Sequence, residues 1–367
     1  MTEKKKILIV SRSFYPEISP RAHRATELAK EFVRQGHEVT IYNKKSHLLH
    51  DDFSRQQGLK IKYYGKKLLP NIVIRKPKVL YNITRAVNKF FYIYFYYPYI
   101  EDTFKIPRAL RKESGYDLLI SVAFPHSLHW GIVRALEINK QISKIWIADC
   151  GDPFMGNKLE IKRPFYFKYI EKWWCRQVDY ISIPLEEAKN AYYPEFRKKI
   201  VVIPQGFRLE KMQMPTVTNK VPTFLYAGLF IPGSRDPRPL LEYLLNIKKD
   251  YKFIIHTKQT EMVTPYVKKS NGRIEIHNYI PRDQLLEKIS KMDFVINLDN
   301  NQRDMLPSKL IDYAITGKPI LNINNQLNKN LIDQFLSGDY SNRLVINNIE
   351  QFNIENTANK FIELCTE

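Results

Sequence analysis

The residues best suited to chemistry lie in one segment late in the chain, Asp293–Leu321. The segment reads as an apolar strand, a polar loop, a helix that Pro307 and Ser308 open, and a second strand after Gly317. The start of such a helix offers free backbone N–H groups and the positive end of the helix dipole, which together bind phosphate. The segment therefore predicts a phosphate-binding site at the end of a buried strand.

Two aspartates flank the start of this helix. Asp304 precedes it, and Asp312 lies eight positions later, one turn inside the helix. A carboxylate there can accept hydrogen bonds from ribose hydroxyls, as acidic residues do in other nucleotide-binding folds. Either aspartate alone is more often a solvated surface residue, but their joint placement around the helix favours nucleotide binding.

A second group of acids ends an apolar run in the middle of the chain. Asp149 and Asp152 follow the predicted strand Lys144–Ala148. Placing a carboxylate near a buried strand costs free energy, which is tolerated where the group has a function. Asp152 is therefore predicted to act in catalysis rather than to cap a helix. Both interpretations stay open for Asp149, the second catalytic candidate. His126 ends the preceding strand in the same way and could line the same pocket.

These residues lie in a regular alternation of strands and helices. In the amphipathic stretch 21–35, for example, Ala25, Leu28 and Phe32 fall on one helix face. Apolar strands alternating with such helices indicate a parallel sheet covered on both faces. The alternation pauses near 206–221 and then restarts, which predicts two doubly wound α/β domains, 1–206 and 207–349. A last helix at about 350–367 could complete either domain.

The composition limits the class of protein. A chain of 367 residues is longer than a protein with a single hydrophobic core usually is. Its content of hydrophobic residues, 44%, is ordinary for a globular protein. The distant cysteines Cys150, Cys175 and Cys365 lack paired metal-ligand spacing, which argues against a zinc site or a disulfide framework. The apolar stretch Phe90–Ile100 has about half of the ~20 residues that a membrane-spanning helix needs. The expected location is therefore the cytoplasm.

The net charge of +20 is concentrated in one tract. Between Arg55 and Gly115 there are fourteen Lys or Arg residues and three acids, a local charge of +11. Nine Phe or Tyr residues lie between Phe90 and Phe104. Cations mixed with aromatic rings suit an anionic membrane surface or single-stranded nucleic acid. Two core-packing helices with a solvated basic face would have the same composition.

The segment 293–321 resembles the nucleotide-sugar site of the retaining GT-B glycosyltransferases of family 4. In that family, two acids separated by seven residues hold the donor sugar and the ribose, and Asp304 and Asp312 occupy both places here. The resemblance implies that Asp304 belongs to the catalytic residues and that four residues contact the nucleotide sugar, namely Pro307, Ser308, Lys309 and Leu310. The Pro-Ser-Lys-Leu variant is similar to members that build bacterial surface polysaccharides such as capsule and lipopolysaccharide.

Two segments of the first predicted domain resemble the same family. Lys6–Tyr42 is similar to its opening strand, loop and helix, and the run 19–24, which contains Arg21 and Arg24, replaces the usual glycine pair of the loop. The resemblance implies that these arginines lie on the acceptor side, where they could meet phosphates or remain solvated. Trp146–Phe154 is similar to the strand-end segment that faces the acceptor, which places Asp152 there.

The segment Phe224–Gly228 is similar to the strand that opens the donor domain of the family. In many relatives an arginine follows this glycine and a lysine comes a few residues later, and both bind the diphosphate. Here Leu229 fills the first place, and Arg235, or alternatively Arg238, stands in for the second. A guanidinium is a good phosphate ligand. Lys258 or Lys309 could replace the missing cation.

The expected protein is an α/β enzyme of GT-B architecture with two Rossmann-like domains. The expected activity is the transfer, with retention, of a sugar from a UDP- or GDP-linked donor to a lipid-linked or polysaccharide acceptor, without a metal or other cofactor. Residues 60–112 are expected to bind an anionic membrane at the inner face of the plasma membrane, and no nucleic acid is expected as a partner. The alternatives are a sugar-nucleotide epimerase of the same fold, a non-catalytic nucleic-acid or anion-binding protein, and an inactive scaffold.

Overall fold

The chain divides into two units, Met1–Arg208 with Gln351–Glu367, and Leu209–Glu350. The computed structural model describes residues 3–65, 68–70, 77–156, 162–209, 218–299, 308–324 and 326–366. Within these residues, each unit contains one parallel sheet with helices between its strands.

The sheet of the first unit has the strand order β3-β2-β1-β4-β5-β6-β7, with all neighbours parallel. Its strands are β1 Lys6–Ser11, β2 Glu38–Asn43, β3 Lys60–Tyr63, β4 Tyr116–Ala123, β5 Ser143–Cys150, β6 Tyr180–Ile183 and β7 Ile200–Val202. Its helices are α1 Pro20–Arg34, α2 His50–Gln57, α3 Lys78–Phe95, α4 Asp102–Leu110, α5 Ser127–Ile138 and α6 Phe167–Gln177. Short 3-10 helices lie at Tyr99–Glu101, Glu186–Ala191 and Pro194–Lys199.

The side chains of β1 explain why this sheet is covered on both faces. Successive side chains of a strand point to opposite sides, so Ile7 and Ile9 enter one hydrophobic core while Leu8 and Val10 enter the other. All four are fully buried. Both faces of the sheet therefore need a helical layer, as the continuous apolar strands of the sequence predict.

The sheet of the second unit has the order β10-β9-β8-β11-β12 and is also parallel throughout. Its strands are β8 Thr223–Ala227, β9 Lys252–His256, β10 Ile274–His277, β11 Phe294–Leu298 and β12 Ile320–Ile323. Its helices are α7 Arg238–Asn246, α8 Thr264–Lys269, α9 Arg282–Ser290, α10 Ser308–Ile315 and α11 Lys329–Leu336. The 3-10 helix Ile349–Phe352 leads to α12 Ile354–Glu363, which packs against α1 of the first unit.

The strand order of each sheet contains one reversal. The chain winds outward from β1 to β3 and then crosses to β4 on the other side, and the second unit does the same between β8 and β11. Open α/β sheets bind ligands at the carboxyl ends of the strands beside such a switch point. The ends of β1 and β4, and of β8 and β11, are therefore the places to look for a site.

None of the helices in the described part of the chain has the length and apolar character that a bilayer crossing requires.

Candidate functional site

The switch point of the second unit begins with a tight backbone turn. Gly228 follows β8 with a φ of +148°, a conformation that favours glycine. A Cβ atom there would lie 3.2 Å from the hydroxyl of Tyr226, which donates a hydrogen bond to the carbonyl of Leu229 at 2.9 Å. The strand end is therefore both sharply turned and closely packed at Gly228.

Tyr313 fixes helix α10 against this turn. Its hydroxyl accepts a hydrogen bond from the amide of Ala227 at 3.0 Å, and its ring is fully buried. Lys309 lies one turn earlier on α10, and its Nζ is 4.5 Å from the centroid of the Tyr226 ring. Two of the predicted ligands, Gly228 and Lys309, are thus brought to the carboxyl end of the same strand.

Lys309 and Arg235 place two cations at this strand end. The Nζ of Lys309 and the Nε of Arg235 are buried, and neither has a hydrogen-bond partner among the described residues. Burial, helped by the charge of Arg235 and opposed by the carboxylate of Asp299, lowers the pKa of Lys309 to about 7. A buried ammonium and a buried guanidinium N–H without partners are costly, and an anionic ligand would supply contacts to both.

Asp312 lies on the same helix, beside Arg282 of α9. The Nε of Arg282 donates to Asp312 Oδ1 at 2.7 Å, and the aspartate side chain is 13% exposed. The ion pair holds the carboxylate in one orientation. Its role as the ligand of the ribose stays a prediction.

The remaining predicted ligands of the second unit are spread more widely. Lys258 is exposed after β9, and its Nζ lies over a neighbouring tyrosine ring. Leu310 is buried in the core beneath α10, and its contact with the nucleotide sugar stays a prediction. Ser308 is the first residue of α10, whereas Asp304 and Pro307 lie outside the described residues.

In the first unit, Asp149 ends β5 inside an internal hydrogen-bond network. Arg24 donates to both carboxylate oxygens, from Nε at 3.1 Å and from Nη2 at 2.8 Å, and Ser182 Oγ donates at 2.7 Å. Burial raises the pKa of Asp149, but Arg24 above all holds it below its ordinary value. Because both side chains are almost completely buried, these contacts favour a structural role. The predicted parts of Asp149 in catalysis and of Arg24 in acceptor binding stay predictions.

Arg21 lies above the loop that follows β5. Its Nη1 is 3.8 Å from Asp149 Oδ2, and its guanidinium covers Gly151, where a Cβ atom would lie 2.3 Å from Arg21 Cζ. Position 151 must therefore lack a side chain for Arg21 to lie here. Since 22% of the Arg21 side chain is exposed, this arginine remains available to a ligand.

Asp152 and His126 line one cavity at the carboxyl ends of β4 and β5. The cavity has a volume of about 120 Å³, and its walls are Tyr96, Ala123, Phe124, His126, Asp152, Pro153 and Phe154. Asp152 is exposed, while His126 is buried. Burial, together with the charge of Arg163, lowers the pKa of His126 to about 3, so its imidazole is neutral at physiological pH. Two predicted residues thus meet in an aromatic pocket.

A buried polar chain lies beside this cavity, and the sequence analysis did not find it. Trp146 Nε1 donates to Ser121 Oγ at 2.8 Å, Ser121 Oγ lies 2.8 Å from His129 Nδ1, and His129 Nε2 lies 3.4 Å from Cys150 Sγ. His126, His129 and Cys150 together could hold a metal ion, since one potential ligand atom of each lies within 4.8 Å of the other two. The predicted independence from metal is untested. His126 and His129, three residues apart, were the sequence feature that could have indicated this group.

The switch point of the first unit carries an ion pair that the sequence analysis also missed. Arg12 follows β1, and its Nη1 lies 2.5 Å from Asp102 Oδ2 while its Nη2 lies 3.4 Å from Glu101 Oε1. Burial raises the pKa of Asp102 to about 6 against the opposing charge of Arg12. The pair joins the start of α4 to the end of β1.

Helix α3 forms a large part of the basic tract 60–112, and it contains no buried residue. A stripe of apolar side chains at three- and four-residue spacing is 43–67% exposed, and it consists of Val79, Ile83, Val87, Phe90 and Tyr94. The helical repeat places the cations on the opposite side, at Lys78, Arg85 and Lys89. A helix packed on a core turns such a stripe inward, so this stripe of α3 does not face a core, although Tyr92 of the same helix packs against the core of the first unit. Four further cations of the tract, Lys66, Lys67, Arg75 and Lys76, lie outside the described residues.

Residues 22–211 match the sequence pattern described as Glycosyltransferase Family 4, which covers more than half of the chain. The chain belongs to glycosyltransferase family 4. The predicted glycosyltransferase class is thereby confirmed at the level of the family. The matched part of this family member includes Arg24, His126, Asp149 and Asp152, whereas the site of its second unit lies beyond the match.

Solved glycosyltransferase structures share the fold of this family member over nearly its whole length. A glycosyltransferase from Rickettsia africae ESF-5 is 13% identical, with a TM-score of 0.65 and coverage of 99% of this chain and 98% of its own. The lipopolysaccharide outer core galactosyltransferase WaaB is 12% identical, with a TM-score of 0.60 and coverage of 98% and 99%. HepE from Anabaena, solved with UDP and glucose, is 11% identical, with a TM-score of 0.55 and coverage of 99% and 100%. These likenesses confirm the α/β fold of GT-B type. Comparison with curated protein sequences gave no match.

Proposed function

We propose that this family 4 member transfers a sugar from a nucleotide-diphosphate sugar, held by its second unit, to an acceptor held by its first unit. The observation that carries the proposal is the pair of cations beside the Gly228 turn. The buried nitrogens of Lys309 and Arg235 lack partners among the described residues, and a diphosphate supplies two anionic groups for them. The HepE structure holds UDP and glucose, so UDP-linked donors are the first to test.

The chemistry of the donor side follows from the charges. As the bond to the sugar breaks, negative charge develops on the departing diphosphate, and Arg235, Lys309 and the N–H groups that begin α10 would stabilise it. In this proposal Asp312 holds the ribose and Asp304 serves the donor sugar. The anomeric configuration is retained, as the resemblance to retaining members implies. The proposed reaction uses no metal or other cofactor.

The acceptor side of the proposal rests on the cavity beside Asp152. Its exposed carboxylate can take the proton of an attacking hydroxyl, which makes the hydroxyl a better nucleophile. The aromatic walls can stack on a sugar ring, and neutral His126 can donate or accept a hydrogen bond there. Arg21 lies above the same loop with part of its side chain exposed, and it can bind a phosphate of a lipid-linked acceptor.

The exposed stripe of α3 supports docking at a membrane. Apolar side chains enter the headgroup region of a bilayer, while the cations of the same helix bind anionic lipid. A second copy of this chain fits the surface less well, because two proteins of charge +20 repel each other. The setting we propose is cell-surface glycan synthesis, such as capsule or lipopolysaccharide, at the inner face of the plasma membrane. The name of WaaB places that protein in lipopolysaccharide synthesis.

A screen of UDP- and GDP-sugars by thermal unfolding tests the donor assignment. A nucleotide sugar at about a hundred times its dissociation constant adds about 2.7 kcal/mol to the free energy of unfolding. The stabilising donor is then incubated with candidate glycan and lipid-linked acceptors, and NMR of the product identifies the anomer. Isomerised donor in the absence of acceptor would indicate an epimerase instead. Failure of every nucleotide sugar to stabilise the protein would contradict the proposed function.

A further inference from the structure

The position of Lys309 disfavours the charge of its side chain. Its Nζ is buried beneath the strand-end turn and lies 4.5 Å from the centroid of the Tyr226 ring, without a hydrogen-bond partner among the described residues. A lysine in water makes three hydrogen bonds through its ammonium group. Here the face of the Tyr226 ring takes the place of those hydrogen bonds. The cation–π contact recovers only part of the free energy lost when the ammonium group leaves water.

Three groups act on the Lys309 ammonium besides burial. The Tyr226 ring of β8 lies beneath it, Arg235 repels it from the loop after β8, and Asp299 attracts it from the end of β11. Arginine side chains carry a permanent charge in proteins. Lys309 differs, because burial and the charge of Arg235 lower its pKa to about 7, so its charge changes near neutral pH.

We propose that Lys309 is a proton-coupled anchor for the donor diphosphate: it takes up a proton when the anion enters beside Gly228 and releases it when the anion leaves. This inference rests on the donor site of the proposed function. The proton comes from solvent on binding and returns to solvent on release, so no other group needs to change its charge. An opposite charge within about 4–6 Å favours the protonated lysine and raises its pKa, which reverses the effect of burial.

The sign of the pH dependence follows from these two states. Below the pKa of Lys309 in the free protein the lysine is already charged, so the anion binds without proton uptake and affinity is highest. Above that pKa Lys309 of the free protein is neutral, and binding must include one proton. Affinity then falls by up to tenfold for each pH unit until the pKa of the occupied site is reached.

The test compares the wild type with Lys309→Arg and Lys309→Met by calorimetry, using UDP, GDP and inorganic pyrophosphate as probes. Titrations between about pH 6.5 and 9, in buffers of different ionisation enthalpy, give both the affinity and the number of protons taken up. The phosphates of the probes titrate as well, with a pKa near 6 for a terminal phosphate. The bound phosphate meets a cation in both the wild type and Lys309→Arg, so its contribution is nearly equal in these two proteins and the difference between them isolates Lys309. Lys291→Met is a control on the exposed surface of the same unit.

We expect the wild type to take up close to one more proton than Lys309→Arg at about pH 8. Lys309→Arg should retain binding within a few fold and lose this part of the pH dependence, since its cation does not titrate. Lys309→Met should bind at least tenfold more weakly near neutral pH. Circular dichroism confirms that each variant is folded. If Lys309→Met fails to fold, the proton count of Lys309→Arg alone decides, and a count equal to that of the wild type overturns the inference.

The outcomes separate this inference from the proposed function. If UDP or GDP binds the wild type and Lys309→Met equally well, the anchor is wrong while the nucleotide donor stands. Lys309-dependent binding of pyrophosphate, without binding of UDP or GDP, supports the anchor and removes the nucleotide donor. Absence of binding by all three probes overturns both.

Discussion

At the scale of single residues, the carboxylate of Asp312 gives the most direct test of nucleotide binding. Replacing it with Ala should weaken UDP or GDP binding by roughly 1.5–3 kcal/mol, because a hydrogen bond to a charged group is lost. Isothermal titration calorimetry measures the change. Asp283→Ala, an exposed aspartate in the first turn of α9, is the matched control and should bind as the wild type does. Unchanged affinity in folded Asp312→Ala would remove this residue from the nucleotide site.

Asp152 should act on the other substrate. Its replacement by Asn keeps the size of the side chain but removes the base, so turnover should fall by about 10²–10⁴-fold. Nucleotide affinity should stay within twofold of the wild type, because the carboxylate belongs to the first unit. Asp51→Asn, an exposed aspartate of α2 in the same unit, serves as the control for both measurements. An equal loss of turnover and nucleotide affinity in Asp152→Asn would contradict an acceptor-side role.

Loss of Arg24 should lower the stability of the first unit much more than loss of Arg21 does. Arg24→Met leaves the buried carboxylate of Asp149 without its main partner and should cost about 3–5 kcal/mol of unfolding free energy. Arg21→Met breaks a longer, partly exposed contact and should cost about 1 kcal/mol or less.

All four tryptophans of the chain lie between residues 130 and 174, so their fluorescence in urea reports the unfolding of the first unit. Equal destabilisation by the two substitutions would contradict the structural role of Arg24. Transfer activity of the stable Arg21→Met protein then tests whether Arg21 binds the acceptor.

Some residue-scale features follow from the sequence and others do not. The type of a residue and its place after an apolar run identify Lys309, Asp152 and His126 as candidates, because parallel strands bring their carboxyl ends to one edge. The Arg12–Asp102 pair joins residues ninety positions apart. No periodicity indicates such a contact, since it depends on which helix packs beside which strand end.

At the scale of elements, the strands were the most predictable part of the fold. Continuous apolar runs indicate where a buried strand lies: the predicted Lys144–Ala148 lies within β5, and Phe224–Gly228 overlaps β8. β3 was missed because Lys60–Tyr63 pairs with only β2 at the sheet edge and is mostly exposed, so it lacks an apolar run. The orientation of α3 could not be predicted either, because an apolar stripe in a sequence does not show whether it faces a hydrophobic core or a membrane.

The stripe of α3 leads to a prediction for that helix. Changing Ile83, Val87 and Phe90 together to Ser should weaken binding to anionic vesicles about a hundredfold, since each half-exposed side chain contributes about 1 kcal/mol on insertion. Vesicle sedimentation measures the change. Ile138→Ser removes an exposed apolar side chain at the end of α5, outside the stripe, and should have no effect. Stability should not fall in the triple variant, because none of its side chains is buried. Unchanged sedimentation would mean that the stripe does not enter the bilayer.

At the scale of the whole molecule, the charge has two separable effects. A net charge of +20 attracts any anionic surface over the distance that the salt concentration allows. Cations placed beside an apolar stripe act differently, because the stripe brings them to the lipid headgroups. Only the second effect gives the protein a defined side toward the membrane.

Two triple variants separate these two effects. Changing Lys78, Arg85 and Lys89 to Gln removes the cations of α3, whereas changing Lys248, Lys249 and Lys291 to Gln removes exposed cations of the second unit. Both variants lower the net charge from +20 to +17. At low salt each cation near the surface contributes about 1 kcal/mol, so the α3 variant should bind anionic vesicles about a hundredfold more weakly.

The second variant should bind those vesicles nearly as the wild type does. Raising the salt from about 0.1 M to 1 M shortens the Debye length from ~10 Å to ~3 Å, so the wild type should then approach the α3 variant. Equal losses in both variants would mean that overall charge, and not α3, holds the protein to lipid. If the wild type ignores anionic vesicles and instead binds single-stranded RNA with a steep salt dependence, the tract serves nucleic acid. The membrane setting of the acceptor would then lose its support, while nucleotide-sugar binding in the second unit would stand unchanged.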